Sequence, residues 1–154
     1  MNKISIIFLI LFFFLKSAVA SNDDEYFKVF NLLSKSKTEE ALIIIKTINN
    51  KNKVIDSRAG QSLITEAARN NNIKIVRFLV DDGANVNTMN GDGYTALLFS
   101  VENGNVDIFN YLLNHGADIC SVTKWGKTAM DLSDSNKILF SKEIRKIYTE
   151  KRCD

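Results

Sequence analysis

Gly60-Gln61-Ser62-Leu63-Ile64-Thr65-Glu66-Ala67-Ala68-Arg69-Asn70-Asn71-Asn72 opens a stretch that returns as Gly93-Tyr94-Thr95-Ala96-Leu97-Leu98-Phe99-Ser100-Val101-Glu102-Asn103-Gly104-Asn105. Gly60, Gly93 and Gly126 are spaced 33 and 33 residues apart, and Ser62, Thr95 and Thr128 each follow a glycine by two. Gly83-Ala84 and Gly116-Ala117 keep the same period, as do the pairs Asn70/Asn103, Asn72/Asn105, Ile75/Ile108 and Leu79/Leu112. Residues 60–87 and 93–120 share seven identities over 28 positions, and most other apolar positions stay apolar. Biased composition can produce scattered identities, but not a glycine and a hydroxyl in the same register three times. Self-similarity at such a fixed period marks a repeat architecture.

Each unit has a physical reading. The glycine supplies a positive φ in a tight turn. The hydroxyl two residues later is placed to cap a helix N-terminus. A short first helix is predicted over 63–70 and again over 96–103, with Ala67, Ala68 and Ser100 small enough for a neighbouring helix to approach. Asn70-Asn71-Asn72 and Asn103-Gly104-Asn105 supply a left-handed residue and a reversal. A second helix follows, with Ile73, Val76, Leu79 and Val80 apolar at helical spacing, then Val106, Phe109, Leu112 and Leu113. It ends at Gly83 or Gly116, in the position of a C-terminal cap.

This unit resembles the ankyrin repeat over roughly residues 54–140. The family's closing motif of Gly-Ala, Asp or Asn, Val and Asn stands here as Gly83-Ala84-Asn85-Val86-Asn87 and Gly116-Ala117-Asp118-Ile119-Cys120. Leu79-Val80 and Leu112-Leu113 fill the paired-leucine positions. The usual Thr-Pro-Leu-His opening is altered, with Leu63 and Thr65, Ala96 and Leu98, and Ala129 and Asp131 in place of proline and histidine. Losing the proline removes a pre-set helix start. The resemblance implies an all-α repeat solenoid of helix-turn-helix units with hairpin loops, acting as a non-catalytic protein-interaction scaffold without a cofactor.

The ends fit a short stack. Two helices are predicted over 26–33 and 38–48, with Tyr26, Phe27, Phe30 and Leu33 on one face of the first. They keep the helix-pair rhythm without the Gly-Ala motif, as a capping repeat does. A third glycine unit opens at Gly126, followed by a helix over about 137–151 that exposes Lys142, Arg145 and Lys146. Ahead of all this, Lys3, the apolar run from Ile4 to Leu15, and Ala18-Val19-Ala20 form the three parts of a secretory signal, with cleavage between Ala20 and Ser21. A membrane-spanning helix needs roughly 20 apolar residues, and Lys16 cuts the run short; a buried core helix would spread Phe12, Phe13 and Phe14 over every face. The expected organisation is a signal at 1–20, capping helices at 21–53, repeats at 54–88 and 89–121, and a degenerate capping unit at 122–154.

Composition narrows the function. The 154 residues are 45% apolar and 25% charged, with no proline. Without Lys3 and Lys16, 18 basic residues face 18 acidic ones, so no general attraction to nucleic acid or acidic membranes is expected. His115, the only histidine, reads as a helix-end residue, having no nucleophile paired to it by sequence. Asp81-Asp82 and Asn85-Val86-Asn87 lack the ligand alternation and closing glutamate of a calcium loop. Gly91-Asp92-Gly93 lacks the lysine-hydroxyl pair of a phosphate loop. Cys120 and Cys153 can pair in an oxidising compartment, but their spacing does not fix their distance. What remains is the loop tips: Arg58 and Gln61, then Asp92 and Tyr94, then Lys124, Trp125 and Lys127. Tyrosine, tryptophan and arginine are frequent interface anchors. Trp125, the only tryptophan, either folds back on the C-terminal helix or meets a partner. The expectation is an exported, monomeric binding module for a protein partner; the competing readings are an enzyme's accessory domain or a purely structural exported protein.

Overall fold

A computed structural model describes residues 22–55, 60–133, 138–151 and 153. Ala20, Ser21 and Arg58 lie outside the described residues. Eight helices are seen among those described: α1 (Asn22–Ser34), α2 (Thr38–Ile45), α3 (Leu63–Arg69), α4 (Ile73–Asp81), α5 (Ala96–Glu102), α6 (Val106–Asn114), α7 (Ala129–Ser133) and α8 (Ile138–Lys151). None is long and apolar enough to cross a membrane. The odd-numbered helices stack in one row, α1 on α3 on α5 on α7, and the outer helices α2, α4 and α6 stack behind them. Beyond the helices, an isolated antiparallel bridge joins Ile55 and Gln61.

The repeating residues form the helix ends as the sequence requires. Ser62 accepts from the Thr65 N–H, while the Thr65 hydroxyl accepts from the Ser62 N–H at 3.1 Å, a reciprocal cap. Thr95 accepts from the Leu98 N–H. Asn72 and Asn105 cap α4 and α6 through Ile75 and Ile108. At the other ends, Ala84 N–H donates to Leu79 C=O and Gly83 N–H to Val80 C=O, with Gly83 at φ 83°. The same two bonds recur from Ala117 and Gly116 onto Leu112 and Leu113. Asn71 (φ 56°) and Gly104 (φ 65°) are the left-handed residues between first and second helices.

The core runs continuously through the stack. Leu63, Ile64, Ala67 and Ala68 of α3 and Leu97, Leu98 and Val101 of α5 are buried, with Ile75, Val76, Leu79, Ile108, Phe109 and Leu112 behind them. The buried stripe of each second helix is therefore 75/76/79 and 108/109/112. Ile73, Val80 and Leu113 are half-buried, and Val106 is exposed. In α1 the buried face is Tyr26, Val29, Phe30 and Leu33, and the expectation for Phe27 is corrected: it is exposed. Val29 rather than Phe27 continues the helical spacing from Tyr26 through Phe30 to Leu33, so Phe27 is turned outward beside Phe30.

Asparagines stitch the loops together. Asn50, Asn85 and Asp118 each accept from the N–H two residues on, those of Asn52, Asn87 and Cys120. The second residue then reaches forward: Asn52 Oδ1 accepts from the Asn85 N–H at 2.7 Å, and Asn87 Oδ1 from the Asp118 N–H at 2.8 Å. Cys120 stands in that forward-reaching place in the last loop. Its side chain is joined to Cys153 by a disulfide, with Cα atoms 5.1 Å apart.

Candidate functional site

Hairpin tips project from the stack, and two of them meet. Asn90 organises the first: its backbone N–H donates to Tyr94 C=O, and its Oδ1 accepts from the N–H groups of Asp92 and Tyr94. Thr123, one period later, does the same work. Its N–H donates to Lys127 C=O at 2.9 Å, and its hydroxyl accepts from the Lys127 N–H at 3.1 Å. The two tips are joined by the Lys124 N–H donating to Asp92 C=O at 3.0 Å. A Cβ at Gly93 would lie 2.8 Å from the Lys124 nitrogen, so a glycine there permits that approach.

This junction brings four of the sequence-derived residues together. Lys124 pairs with the Asp92 carboxylate and lies over the Trp125 ring, 4.5 Å from its centroid. Tyr94 stacks on Phe99 at 4.6 Å and meets Trp125 edge-on at 6.5 Å. The Tyr94 hydroxyl donates to Glu102 at 3.2 Å. Burial, then the Glu102 and Asp92 carboxylates, raise its pKa above the ordinary value, so the phenol stays a neutral donor. Trp125 is 60% exposed, with its ring presented to solvent.

The remaining site residues are elsewhere. Gln61 is tied to α3, donating to Glu66 at 3.0 Å; Glu66 also accepts from Asn70 and pairs with Arg69. Lys127 is exposed beside the junction. His115 ends α6, with its ring against Tyr111 and Nδ1 2.7 Å from Tyr111 C=O. Asn90 and Thr123 were not singled out by sequence, although each begins its turn three residues before Gly93 and Gly126 and so carries the period too. No cluster of metal-ligating side chains occurs among the described residues.

A family model described as Ankyrin repeats (3 copies) matches residues 15–123. The chain belongs to the ankyrin-repeat family. A search of curated proteins found no match. Ankyrin repeats are generally protein–protein interaction modules that bind protein partners. The matched span reaches further towards the N-terminus than the 54–140 over which the sequence motifs are plain. It takes in α1 and α2, treated above as a cap, begins within the segment read as a signal, and stops before the Gly126 unit. The physical basis is visible between α1 and α2. There Lys37 N–H donates to Leu32 C=O and Ser36 N–H to Leu33 C=O, the same ending that the asparagine and glycine turns make. Ser36, at φ 57°, takes the left-handed place without being glycine or asparagine, so this turn lacks the residue types of the later units.

Proposed function

We propose that this ankyrin-repeat chain is a non-catalytic, exported binding module that meets a protein partner at the Tyr94–Trp125 junction. The observation that carries the reading is the placement of Trp125. A large aromatic side chain that the stack does not need for its own packing is held in a defined position, with Tyr94 at its edge and Lys124 over its face. Aromatic side chains so fixed lose little freedom on binding and commonly anchor interfaces. Asp92 and Lys127 flank the junction as polar rim. Export through cleavage between Ala20 and Ser21 is supported by the three-part N-terminal pattern. It is supported also by the disulfide, a bond that persists in oxidising compartments. N-terminal sequencing of the protein from its source tests this part by reading Ser21 or Met1.

Affinity capture with the full chain, quantified against Trp125→Ala, tests the binding reading. Loss of an anchor weakens partner binding by about 2 kcal/mol or more, while the melting temperature stays near that of the parent because the ring is mostly in solvent. Asp107→Ala, on the exposed side of α6, should leave binding intact. Equal capture by Trp125→Ala and parent, or equal loss in Asp107→Ala, would overturn the assignment of the junction.

A further inference from the structure

We infer that the Cys120–Cys153 bond is a thiol-sensitive lock that holds the C-terminal helix α8 on the stack. Within the repeats, the side chain at the forward-reaching loop position makes a hydrogen bond to the next loop, from Asn52 to Asn85 and from Asn87 to Asp118. At Cys120 that link is covalent and ends on the residue just beyond α8. Over residues 142–151 the helix it holds is lightly seated. Of the side chains described in α8, Ile144 alone is buried, and Ile147 and Tyr148 are half-buried against the core. Its helical neighbour is the five-residue α7. A cleft of about 420 Å³ remains between it and the end of α6, lined by Leu113, Ala117, Ile119, Cys120, Ile147 and Lys151. An incompletely filled seam contributes little dispersion energy, so attachment of residues 142–151 depends on the bond.

Both cysteines are half-exposed, so a thiolate can reach the sulfurs. A glutathione-class thiol attacks one sulfur, forms a mixed disulfide and releases the other cysteine as a thiol. A second molecule of thiol attacks the reductant sulfur of that mixed disulfide and releases the remaining cysteine. Two reductant thiols become one disulfide, and two electrons and two protons pass to Cys120 and Cys153. Helix α8 is then free to leave, uncovering Leu113, Ala117 and Ile119 at the end of the stack. This inference stands apart from the binding reading, since it concerns a different face.

Amide hydrogen exchange on the full oxidised chain, with and without a phosphine reductant, tests it. Reduction should speed exchange in 138–151 by about tenfold or more, with 63–69 and 96–102 still protected. The double variant Cys120→Ser/Cys153→Ser should reproduce that pattern without reductant. Unchanged protection of 138–151 after reduction would overturn the lock, because packing alone would then hold the helix. Uniform loss across all helices would overturn it too, because the bond would be supporting the whole fold. Two titratable thiols in protein recovered from an oxidising compartment would show that the lock is never set.

Discussion

Gly93 and Gly126 occupy the same place in successive hairpins, with φ angles of 77° and 73°, yet their surroundings differ. A Cβ on Gly93 would strike the Lys124 backbone, whereas one on Gly126 would meet nothing within 4 Å. The first glycine serves both conformation and close packing, the second conformation only. Around them the contrast repeats. Helix α5 is packed between α3 and α7 of the neighbouring units, while α8 packs on α7 alone among the helix pairs in close contact. One motif thus carries different energetic weight according to whether another unit lies beyond it.

The largest expected effect contrasts Leu112→Ala with Ile144→Ala, both changes at fully buried side chains. Leu112 is fully buried in α6, against which α4 and α5 pack, so its loss should cost about 2–5 kcal/mol. Helix α8 can shift to fill the gap left by Ile144, so that variant should lie at or below the bottom of the same range. Thermal melts followed by circular dichroism read both, and equal losses would show that the end is packed as rigidly as the middle. A smaller difference separates Gly93→Ala from Gly126→Ala. Each forces an L-residue into the left-handed region at about 1–2 kcal/mol. Gly93→Ala adds the backbone clash, at about 1–3 kcal/mol more, visible as a lower urea midpoint.

The smallest effect is one of pH. Asp131 accepts from the Thr128 N–H and hydroxyl, and these hydrogen bonds, the backbone one first, hold its pKa below the ordinary 3.8. A depressed carboxylate contributes stability that is present above pH 3.8 and lost as pH falls through the lower folded value. The corresponding positions in α3 and α5 are Thr65 and Leu98, which carry no charge to titrate. Acid should therefore loosen α7 before α3 or α5, as amide exchange between pH 5 and 3 would record. Asp131→Ala should show that looseness at every pH.

Much of the fold was legible because its parts are local. Glycine turns, hydroxyl caps and Gly-Ala endings act within a few residues of themselves, so sequence spacing alone placed them. Residues that act between units were harder to read. Asn85 and Asn87 were recognisable as turn formers, but their bonds to Asn52 and Asp118 depend on how far apart stacked loops lie. Cys120 and Cys153 are 33 residues apart in sequence, a spacing that says nothing of distance until α8 is seen to fold back. In the candidate site, Asp92, Tyr94, Lys124 and Trp125 were chosen by residue type and register. That Tyr94 lies on Phe99 and touches Trp125 follows from the side-chain packing, which periodicity does not encode.

The side-chain links between successive units span about one repeat each, from 24 residues for Tyr26 with Asn50 to 35 for Asn103 with Ala68, and the disulfide spans 33. Such a chain has low contact order, and its assembly never requires the closure of a loop much longer than a single unit. Each unit can dock as soon as the next one has emerged, so a polypeptide delivered N-terminus first lays down its stack in order of arrival. Cys153 lies just beyond α8, so its bond to Cys120 closes a covalent loop of the same one-unit span as the hydrogen-bonded links before it.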